Sequence, residues 1–599
     1  MTTTTTSPEA IEEGAKRPAR GESPTVRAGR AARTGSERPA RRERPARKPK
    51  PEGQWKVDGK APLNHDEELK QLEPVMQVKQ RVIDIYSKQG FSSIPEEDLY
   101  PRFKWLGMYT QRKQNLGGEH TGKDNVELQD EYFMVRVRFD GGQCSTEQAR
   151  AVGEISRDYC RSTADLTDRQ NIQLHWMRIE DAPAMWDKLE SVGLNTWDAC
   201  GDVPRVIMGS PVAGIAKDEI IDATPAIEEI KNDYILREEF QNLPRKFKSA
   251  ISGNARQDVV HEINDIAFIG VEHPELGPGF ECYVGGGLST NPMLAQSLGA
   301  FVTLEQVPEV WGAVVGLFRD YGYRRLRNRA RIKFLVSQWG VEKFRQVLED
   351  EYLGYKLPDG PKAPNNLIDR DHIGIHEQKD GNVYLGVKPT MGHLTGEQLI
   401  AIADLAESYG LTRLRFTPFK EILFLDVAPD KVKDLAADLQ EMGLYSAPSE
   451  FRRGMLTCTG LEFCKLAHVT TKARGIELVD ELEQRVPDFD SPITISLNGC
   501  PNSCARTQVS DIGFKGQMVD DGNGNKVEGF QVHLGGTITR ETSDGGTEAN
   551  FGRKIRGHKV LSTELGDYVT RVAQNFVDKR NEGEIFREWV LRADEEDLK

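Results

Sequence analysis

The feature that most limits the possible folds of this chain is an internal repeat. Alternating residues in 135–142 recur as 385–392, a helix start at 145–148 recurs as 395–398, and 191–194 recurs as 441–444, each about 250 residues later. Each copy predicts strand, helix, strand and helix, because a Ser or Thr that can cap a helix follows the first alternating run. Residues 265–270 and 279–286 recur as 511–516 and 529–536. We therefore predict an internally duplicated, pseudo-two-fold α/β (α+β) protein whose site lies where the halves meet.

The repeat also sets the expected domain boundaries. In each half a small ferredoxin-like α/β module precedes a larger α/β module. Residues 1–52 contain almost no large apolar side chains, so they cannot offset their chain entropy and should be a disordered basic tail. The other predicted segments are a wrapping segment at 53–125, the first small and large modules at 126–200 and 201–375, and the second small and large modules at 376–448 and 449–599.

Four of the eight cysteines lie in two short motifs. Cys458 and Cys464 form a Cys-x5-Cys pair, and Cys500 and Cys504 form a Cys-x3-Cys pair. A zinc ribbon would show tighter Cys-x2-Cys knuckles, whereas the thiolates of a cubane iron–sulfur cluster must reach a larger body and accept wider spacing. Free buried thiols, which pack like small apolar side chains, are the alternative. The spacing favours a cluster.

This pair of motifs resembles the signature of the siroheme and 4Fe-4S sulfite and nitrite reductases, and the resemblance extends over residues 53–599. It is strongest to the single-chain, ferredoxin-dependent sulfite reductases of actinobacteria. The resemblance implies that Cys458, Cys464, Cys500 and Cys504 bind a 4Fe-4S cluster. It also implies that Cys504 bridges the cluster to the siroheme iron.

The two halves differ in their chemistry, since the second half holds the clustered cysteines and the first half carries cations at matching places. The resemblance implies that Arg136, Arg205, Lys246 and Lys248 surround the distal face of the siroheme. There they would act as catalytic residues that hold the substrate oxyanion and supply protons. Lys246 and Lys248 alternate around a phenylalanine, so both can face one cavity. The alternative for each of them is an ordinary surface cation.

Further cofactor contacts are expected from the first half. If residues 167–175 form one strand, alternation places Thr167, Arg169, Gln173 and His175 on the same side. The resemblance assigns this strand to siroheme contact, and a solvated sheet face is the alternative. The resemblance also places Tyr109 and Cys200 near the siroheme. Some relatives join a Tyr and a Cys at these places, so a Tyr109–Cys200 thioether is an open question.

Composition limits the remaining possibilities. The formal net charge is −14 although residues 1–50 are basic, so the body is strongly acidic. A nucleic-acid arm, a transit peptide, an electrostatic lure for an acidic partner and a plain solvated tail are all open for residues 1–50. No apolar run is long enough to span a membrane. Scattered cysteines argue against a disulfide framework and for a reducing, cytoplasmic location.

The sequence thus predicts a cytoplasmic, ferredoxin-dependent assimilatory sulfite reductase, by resemblance, with siroheme and a 4Fe-4S cluster as cofactors. The duplicated body leaves no room for flavin or NADPH domains, so reduced ferredoxin is the expected electron donor. We expect a monomer that acts on sulfite, with nitrite reduction to ammonia as the alternative. A remote alternative is a nucleic-acid-associated iron–sulfur protein, which the acidic body argues against.

Overall fold

The computed structural model describes residues 52–122, 127–363, 371–541 and 547–599. The chain divides into two units, Met1–Lys50 and Pro51–Lys599, and the described helices and strands all belong to the second unit. The predicted basic tail therefore lies outside the described residues, except for Glu52.

An N-terminal helical segment leads into the first small module. Its helices α1 to α5 are Trp55–Asp58, His65–Gln71, Gln77–Arg81, Ser87–Gln89 and Glu96–Leu99. The strands that follow are β1 Met108–Arg112, β2 Gln129–Val137, β3 Gln143–Ser145, β4 Ala164–Leu166 and β5 Ile172–Met177, with helices α6 Thr146–Tyr159 and α7 Ala182–Ser191. The second small module repeats this plan with β11 Gly374–Glu377, β12 Val383–Pro389, β13 His393–Leu394, α12 Gly396–Ser408, β14 Arg413–Phe416, β15 Ile422–Val427, α13 Val432–Glu441 and β16 Leu444–Tyr445.

Each large module is a five-stranded mixed sheet covered by helices. The first contains β6 Pro204–Gly209, α8 Thr224–Glu229, β7 Phe247–Ser252, β8 Ile266–His273, β9 Gly277–Val284, β10 Gln296–Val302, α9 Val307–Tyr321, α10 Ile332–Trp339 and α11 Val341–Val347. The second contains α14 Glu450–Gly454, β17 Met455–Thr457, α15 Lys472–Arg485, β18 Ile495–Asn498, β19 Ile512–Asp520, β20 Lys526–Leu534, β21 Thr537–Glu541, β22 Thr547–Asn550, β23 Lys559–Leu561, α16 Leu565–Lys579 and α17 Phe586–Arg592. Strands β6, β7 and β8 run parallel, as do β17, β18 and β19. The predicted α/β class and internal duplication are confirmed.

The two halves share fine backbone detail. Helices α6 and α12 both begin with a capping box, formed by Ser145 with Gln148 and by Thr395 with Gln398. In this motif the side chain of the cap and that of the third helical residue satisfy two backbone N–H groups that the helix leaves free. The predicted helix starts are therefore correct.

The small modules are interlocked through an exchanged edge strand. Strand β3 of the first half pairs with β14 of the second, and Gln143 lies opposite Arg415. Reciprocally, β13 of the second half pairs with β4 of the first, and His393 lies opposite Asp165. Because separation would expose unpaired strand edges, the two halves form one folding unit.

Helices α6 and α12 cross at two glycines. A Cβ built on Gly153 would lie 2.7 Å from the carbonyl oxygen of Gly396, and one built on Gly396 would lie 2.5 Å from that of Gly153. These distances leave no space for any side chain at the crossing. The two halves therefore meet backbone to backbone at this point.

We expect Gly153→Ala to lower the free energy of unfolding by about 1–3 kcal/mol, because backbone at the crossing must move to admit the methyl group. Gly316→Ala in α9 is the matched control, since its Cβ meets only the ring of Tyr352, at 3.4 Å. There the higher helix propensity of alanine should leave stability unchanged or improve it. Chemical denaturation of both variants measures the difference, and equal effects would contradict the close approach.

The main hydrophobic cores correspond to the modules. One apolar cluster joins both small modules, and each large module has its own cluster. None of the helices in the described ranges is long and apolar enough to cross a membrane.

Candidate functional site

The cysteine motifs lie at the carboxyl ends of neighbouring parallel strands. Strand β17 ends at Thr457, directly before Cys458, and β18 ends at Asn498, two residues before Cys500. Parallel pairing places these ends side by side, which is where open α/β sheets bind ligands. The backbone N–H of Gly499 donates to Cys458 Sγ at 3.1 Å. The fold thus brings together motifs that are far apart in the sequence.

The four thiols of these motifs are electrostatic neighbours. Burial, and then the nearby Cys504, raise the pKa of Cys458 to about 12, and burial followed by Cys504 also raises the pKa of Cys500. Cys464 has a raised pKa, mainly because it is buried. Within the described ranges no three His, Cys, Asp or Glu side chains close on a single metal ion. The positive charge of a bound metal cluster would hold such thiols as thiolates.

The predicted arginines converge from two elements of the first half. Arg136 on β2 and Arg205 on β6 both donate to the carbonyl oxygen of Ala199, at 3.1 and 3.0 Å. Arg136 also donates to Cys200 Sγ at 2.9 Å. The pKa of Arg205 is lowered to about 10, because burial, together with the charge of Arg136, outweighs the charge of Cys200. For Arg136 burial also acts to lower the pKa, but the charges of Cys200 and Tyr109 outweigh it and raise the value.

Lys246 and Lys248 lie on either side of the buried Phe247, and both are partly exposed. Neither Nζ makes a hydrogen bond or ion pair with the described residues. Burial and the charge of Lys248 hold the pKa of Lys246 well below its ordinary value. Burial and the charge of Arg169 lower the pKa of Lys248 to about 7. Crowded cations without a partner among the described residues are suited to binding an anion.

Cys504 is where the thiol group and the cation group meet. It is the one exposed cysteine among those of the described residues. Its charge acts on the pKa of Cys458, Cys464 and Cys500, and also on that of Tyr109, Arg136, Lys246 and Lys248. Cys504 is therefore within electrostatic range of two groups, the cysteine pocket (Cys458, Cys464 and Cys500) and the recess (Arg136, Lys246 and Lys248).

The prediction of one continuous strand from Thr167 to His175 is wrong. The chain turns between β4 and β5, because Thr167 N–H donates to Asn171 O and Gln170 adopts φ 59°. The Thr167 hydroxyl stabilises this turn by accepting from Arg169 and Asn171 N–H at 3.3 and 3.1 Å. Local hydrogen bonds of this kind favour a turn over strand alternation.

Because of the turn, Arg169 points toward the first large module. It donates to Asn264 Oδ1 and Val206 O, both at 2.8 Å, and its buried Nε has no partner among the described residues. Burial lowers the pKa of Arg169 to about 10. Arg169 thus lies near Lys248 in the recess, but it projects from a turn and not from the predicted strand.

Gln173 and His175 do lie on β5. Gln173 Oε1 accepts from Thr459 Oγ1 at 3.4 Å, which ties the strand to the cysteine loop. The His175 ring stacks on Phe463 with centroids 3.9 Å apart, and its Nε2 lies 3.4 Å from Asp165. Burial lowers the pKa of His175, so its imidazole is neutral at pH 7. These two residues border the cysteine pocket.

Sequence reasoning missed two cations that belong to this region. Arg331 forms an ion pair with Asp265 at 2.7 Å, and its charge acts on both Lys246 and Lys248. Lys420 is buried and donates to Thr457 O at 2.7 Å, next to Cys458. Lys420 is the counterpart of Gln170 in the 250-residue repeat, so the repeat offered a signal for it. In the structure both residues adopt a left-handed backbone.

The first half has no cysteine where the second has Cys504. Strand pairing aligns Phe268 with Phe514, so Asp258 is the counterpart of Cys504. Asp258 is fully buried and its carboxylate lies within 3.0 Å of Ser210 Oγ, Ser252 Oγ and His372 Nε2. Hydrogen bonds fill this place, so only the second half offers four thiols.

The comparisons with known proteins agree with this arrangement. The model of the nitrite and sulphite reductase 4Fe-4S domain matches residues 200–357 and 450–599. The nitrite/sulfite reductase ferredoxin-like half domain matches residues 126–192 and 376–442. The chain therefore belongs to the family of nitrite and sulfite reductases with a 4Fe-4S cluster.

Individual relatives narrow this placement. The chain is 54% identical over 545 residues to a sulfite reductase [ferredoxin] of Mycobacterium tuberculosis, covering 90% of this chain and 97% of the relative. It is 34% identical to an assimilatory ferredoxin-dependent nitrite reductase of Haloferax mediterranei, covering 85% of this chain and 88% of the relative. The solved structure of the Mycobacterium tuberculosis NirA protein matches with a TM-score of 0.89 and 53% identity, covering 92% of this chain and all of that chain.

The residues fit the cofactors of this family. The four clustered thiols are electrostatic neighbours, and the exposed Cys504 is also within electrostatic range of Lys246 and Lys248. Within the described ranges the ammonium groups of Lys246 and Lys248 form no ion pair, and the buried Nε of Arg169 has no hydrogen-bond partner. Crowded cations are stabilised by anionic partners, and a carboxylate-rich tetrapyrrole together with a small oxyanion would supply them.

Proposed function

We propose that this chain is a ferredoxin-dependent assimilatory sulfite reductase, which reduces sulfite to sulfide with six electrons. The observation that carries the proposal is the position of Cys504, whose charge acts on the other three clustered cysteines and on the catalytic cations. The higher identity to sulfite reductases than to a nitrite reductase supports sulfite as substrate. Reduction of nitrite to ammonia is the second candidate, because the same cations suit either anion.

Each residue has a role that follows from its surroundings. Cys458, Cys464, Cys500 and Cys504 would hold the cluster, with Cys504 also reaching the siroheme. When bound, siroheme and cluster supply the electron transfer. Arg136, Arg205, Lys246 and Lys248 hold the substrate oxygens in a fixed field of positive charge, which is already organised before the reaction begins.

Protons must also reach the substrate, because each oxygen that leaves as water takes up two. A lysine donates a proton readily when its pKa lies near the working pH. The pKa of Lys248 is about 7, so Lys248 is the proposed proton donor. Arginines keep their charge at this pH, so Arg136 and Arg205 serve to position the anion.

Parallel steady-state assays with sulfite and nitrite, each with reduced ferredoxin, test the proposal. We expect a higher kcat/KM with sulfite and a visible spectrum with siroheme bands. A preference for nitrite would select the second candidate, and a protein without siroheme absorption would overturn both. A monomeric state and a cytoplasmic location belong to the same proposal, and gel filtration tests the first of them.

The pH dependence should report Lys248. Its ammonium is present below its pKa of about 7, so kcat/KM with a small-molecule reductant should fall as pH rises through this value. Lys248→Arg keeps its charge to much higher pH, so the falling limb should move upward by more than about one pH unit even if the maximum rate drops. An unmoved limb in Lys248→Arg would assign the titration to another group.

A further inference from the structure

A cavity of about 490 Å³ lies where the two small modules meet the first large module, beside the junction of the exchanged strands β3 and β14. It is lined by both halves, and none of the proposed catalytic residues or clustered cysteines borders it. Its walls contain four cationic side chains, Arg138, Lys231, Arg413 and Arg415, and three acidic ones, Asp140, Asp222 and Glu228.

Three of these four cations are neutralised within the protein. Arg138 pairs with Asp140 at 2.9 Å, Lys231 with Glu228 at 3.0 Å, and Arg413 with Asp426 at 2.6 Å. In each pair a carboxylate balances the positive charge. The cation that remains is Arg415.

Arg415 is 7% exposed and forms no ion pair with the described residues. The hydrogen bond of its guanidinium goes to Leu414 O, at 3.1 Å. Asp222 also lines the cavity, and its carboxylate accepts from Thr224 N–H at 2.9 Å. Its charge and that of Asp426 act to raise the pKa of Arg415, but neither carboxylate forms an ion pair with the guanidinium. Burial and, second, the charge of Arg413 lower the pKa of Arg415 to about 10. Arg415 therefore stays protonated at neutral pH. A buried guanidinium without a counterion is rare because desolvation is costly.

We propose that this cavity binds a small organic anion, whose carboxylate or phosphate group pairs with Arg415. A guanidinium offers two parallel N–H donors that match either group. Gln143 and Asn195 line the same cavity, and their side-chain amide nitrogens make no hydrogen bond with the described residues. The cavity is larger than an inorganic oxyanion, so it has room for the organic part of the ligand.

The cavity lies beside a loop that contacts the proposed catalytic residue Arg136. Arg138, in the cavity wall, donates to Trp197 O at 3.0 Å, and the loop that follows carries Cys200. Strand β14, which carries Arg415, belongs to the other half and pairs with β3. A bound anion would therefore join the two halves beside the loop that supports Arg136. This inference does not depend on which anion the enzyme reduces.

Equilibrium dialysis of the full chain with radiolabelled inorganic phosphate tests the site, with acetate as a competitor to separate the two ligand groups. Arg415→Gln should weaken phosphate binding at this site by about thirtyfold or more, because a buried charge pair is lost. Arg413→Gln is the control. Its pair with Asp426 is half exposed, so the change should stay within about fivefold. Equal phosphate binding by Arg415→Gln and the unmodified chain would overturn the proposal.

A second measurement avoids variants that fold poorly. Crystals of the full chain soaked in selenate should show an anomalous peak within hydrogen-bond distance of the Arg415 guanidinium. Selenate found at Lys246 and Lys248 but not at Arg415 would show that the cavity holds water, and the proposal would fail.

Discussion

Cys504→Ser should abolish sulfite reduction while leaving the protein folded. The side chain is exposed, so the substitution creates no cavity, and a serine of similar size should change the free energy of unfolding by less than about 0.5 kcal/mol. The hydroxyl is a much poorer ligand for iron than a thiolate. The variant would then lack the thiolate that links the cysteine pocket to the recess. Activity with either ferredoxin or a small-molecule reductant should fall to background.

Electron paramagnetic resonance of the same variant, together with circular dichroism, distinguishes loss of coupling between siroheme and cluster from loss of the folded protein. We expect a spectrum without the interaction between siroheme and cluster, from a protein with an unchanged circular dichroism spectrum. Cys282→Ala is the matched control, because Cys282 is fully buried in the core of the first large module and its loss should leave both spectra and rate intact. A coupled, active Cys504→Ser enzyme would remove this residue from the ligand set.

Lys246→Ala and Lys248→Ala should each lower kcat by about 10²–10³, the usual effect of removing one preorganised charge from a developing anion. Neither ammonium has a protein partner among the described residues, and the two charges repel each other. Stability should therefore hold or rise slightly when one is removed. A large loss of rate without a loss of stability is the pattern expected of a functional charge.

Steady-state kinetics and thermal unfolding of the lysine variants measure the two quantities side by side. Lys526→Ala serves as the control, since Lys526 is 61% exposed and pairs with Asp520 on the surface, where such pairs contribute little. If Lys246→Ala and Lys248→Ala resemble this control in rate, the recess does not hold the substrate.

Much of this fold could be predicted from the sequence because local signals agree with it. The repeat appears in the residues themselves, and the Ser145 and Thr395 caps form where the pattern predicts helix starts. The cysteine spacing predicted a metal body larger than one ion, and the family comparison confirms the 4Fe-4S domain. The roles of the individual site residues remain predictions.

The error at Thr167 shows where sequence patterns fail. The strand pattern was extended through a turn, because the periodicity of the residues does not show that the Thr167 hydroxyl accepts hydrogen bonds from the backbone N–H groups of Arg169 and Asn171. A few side chain–backbone hydrogen bonds decided the direction of Arg169. Periodicity describes regular elements only, so a side chain in a turn can point to either module.

The sequence by itself determined the duplicated α/β plan, the cysteine set and the excess of cations in the first half. Only the tertiary structure decided which of these groups meet. Contacts between residues far apart in the chain decide the exchange of β3 and β13 between the halves and the gathering of cations around Cys504. They also decide the burial of Arg415 without an ion pair among the described residues. Such contacts depend on how packed elements are oriented, and a local pattern of residues carries no record of that orientation.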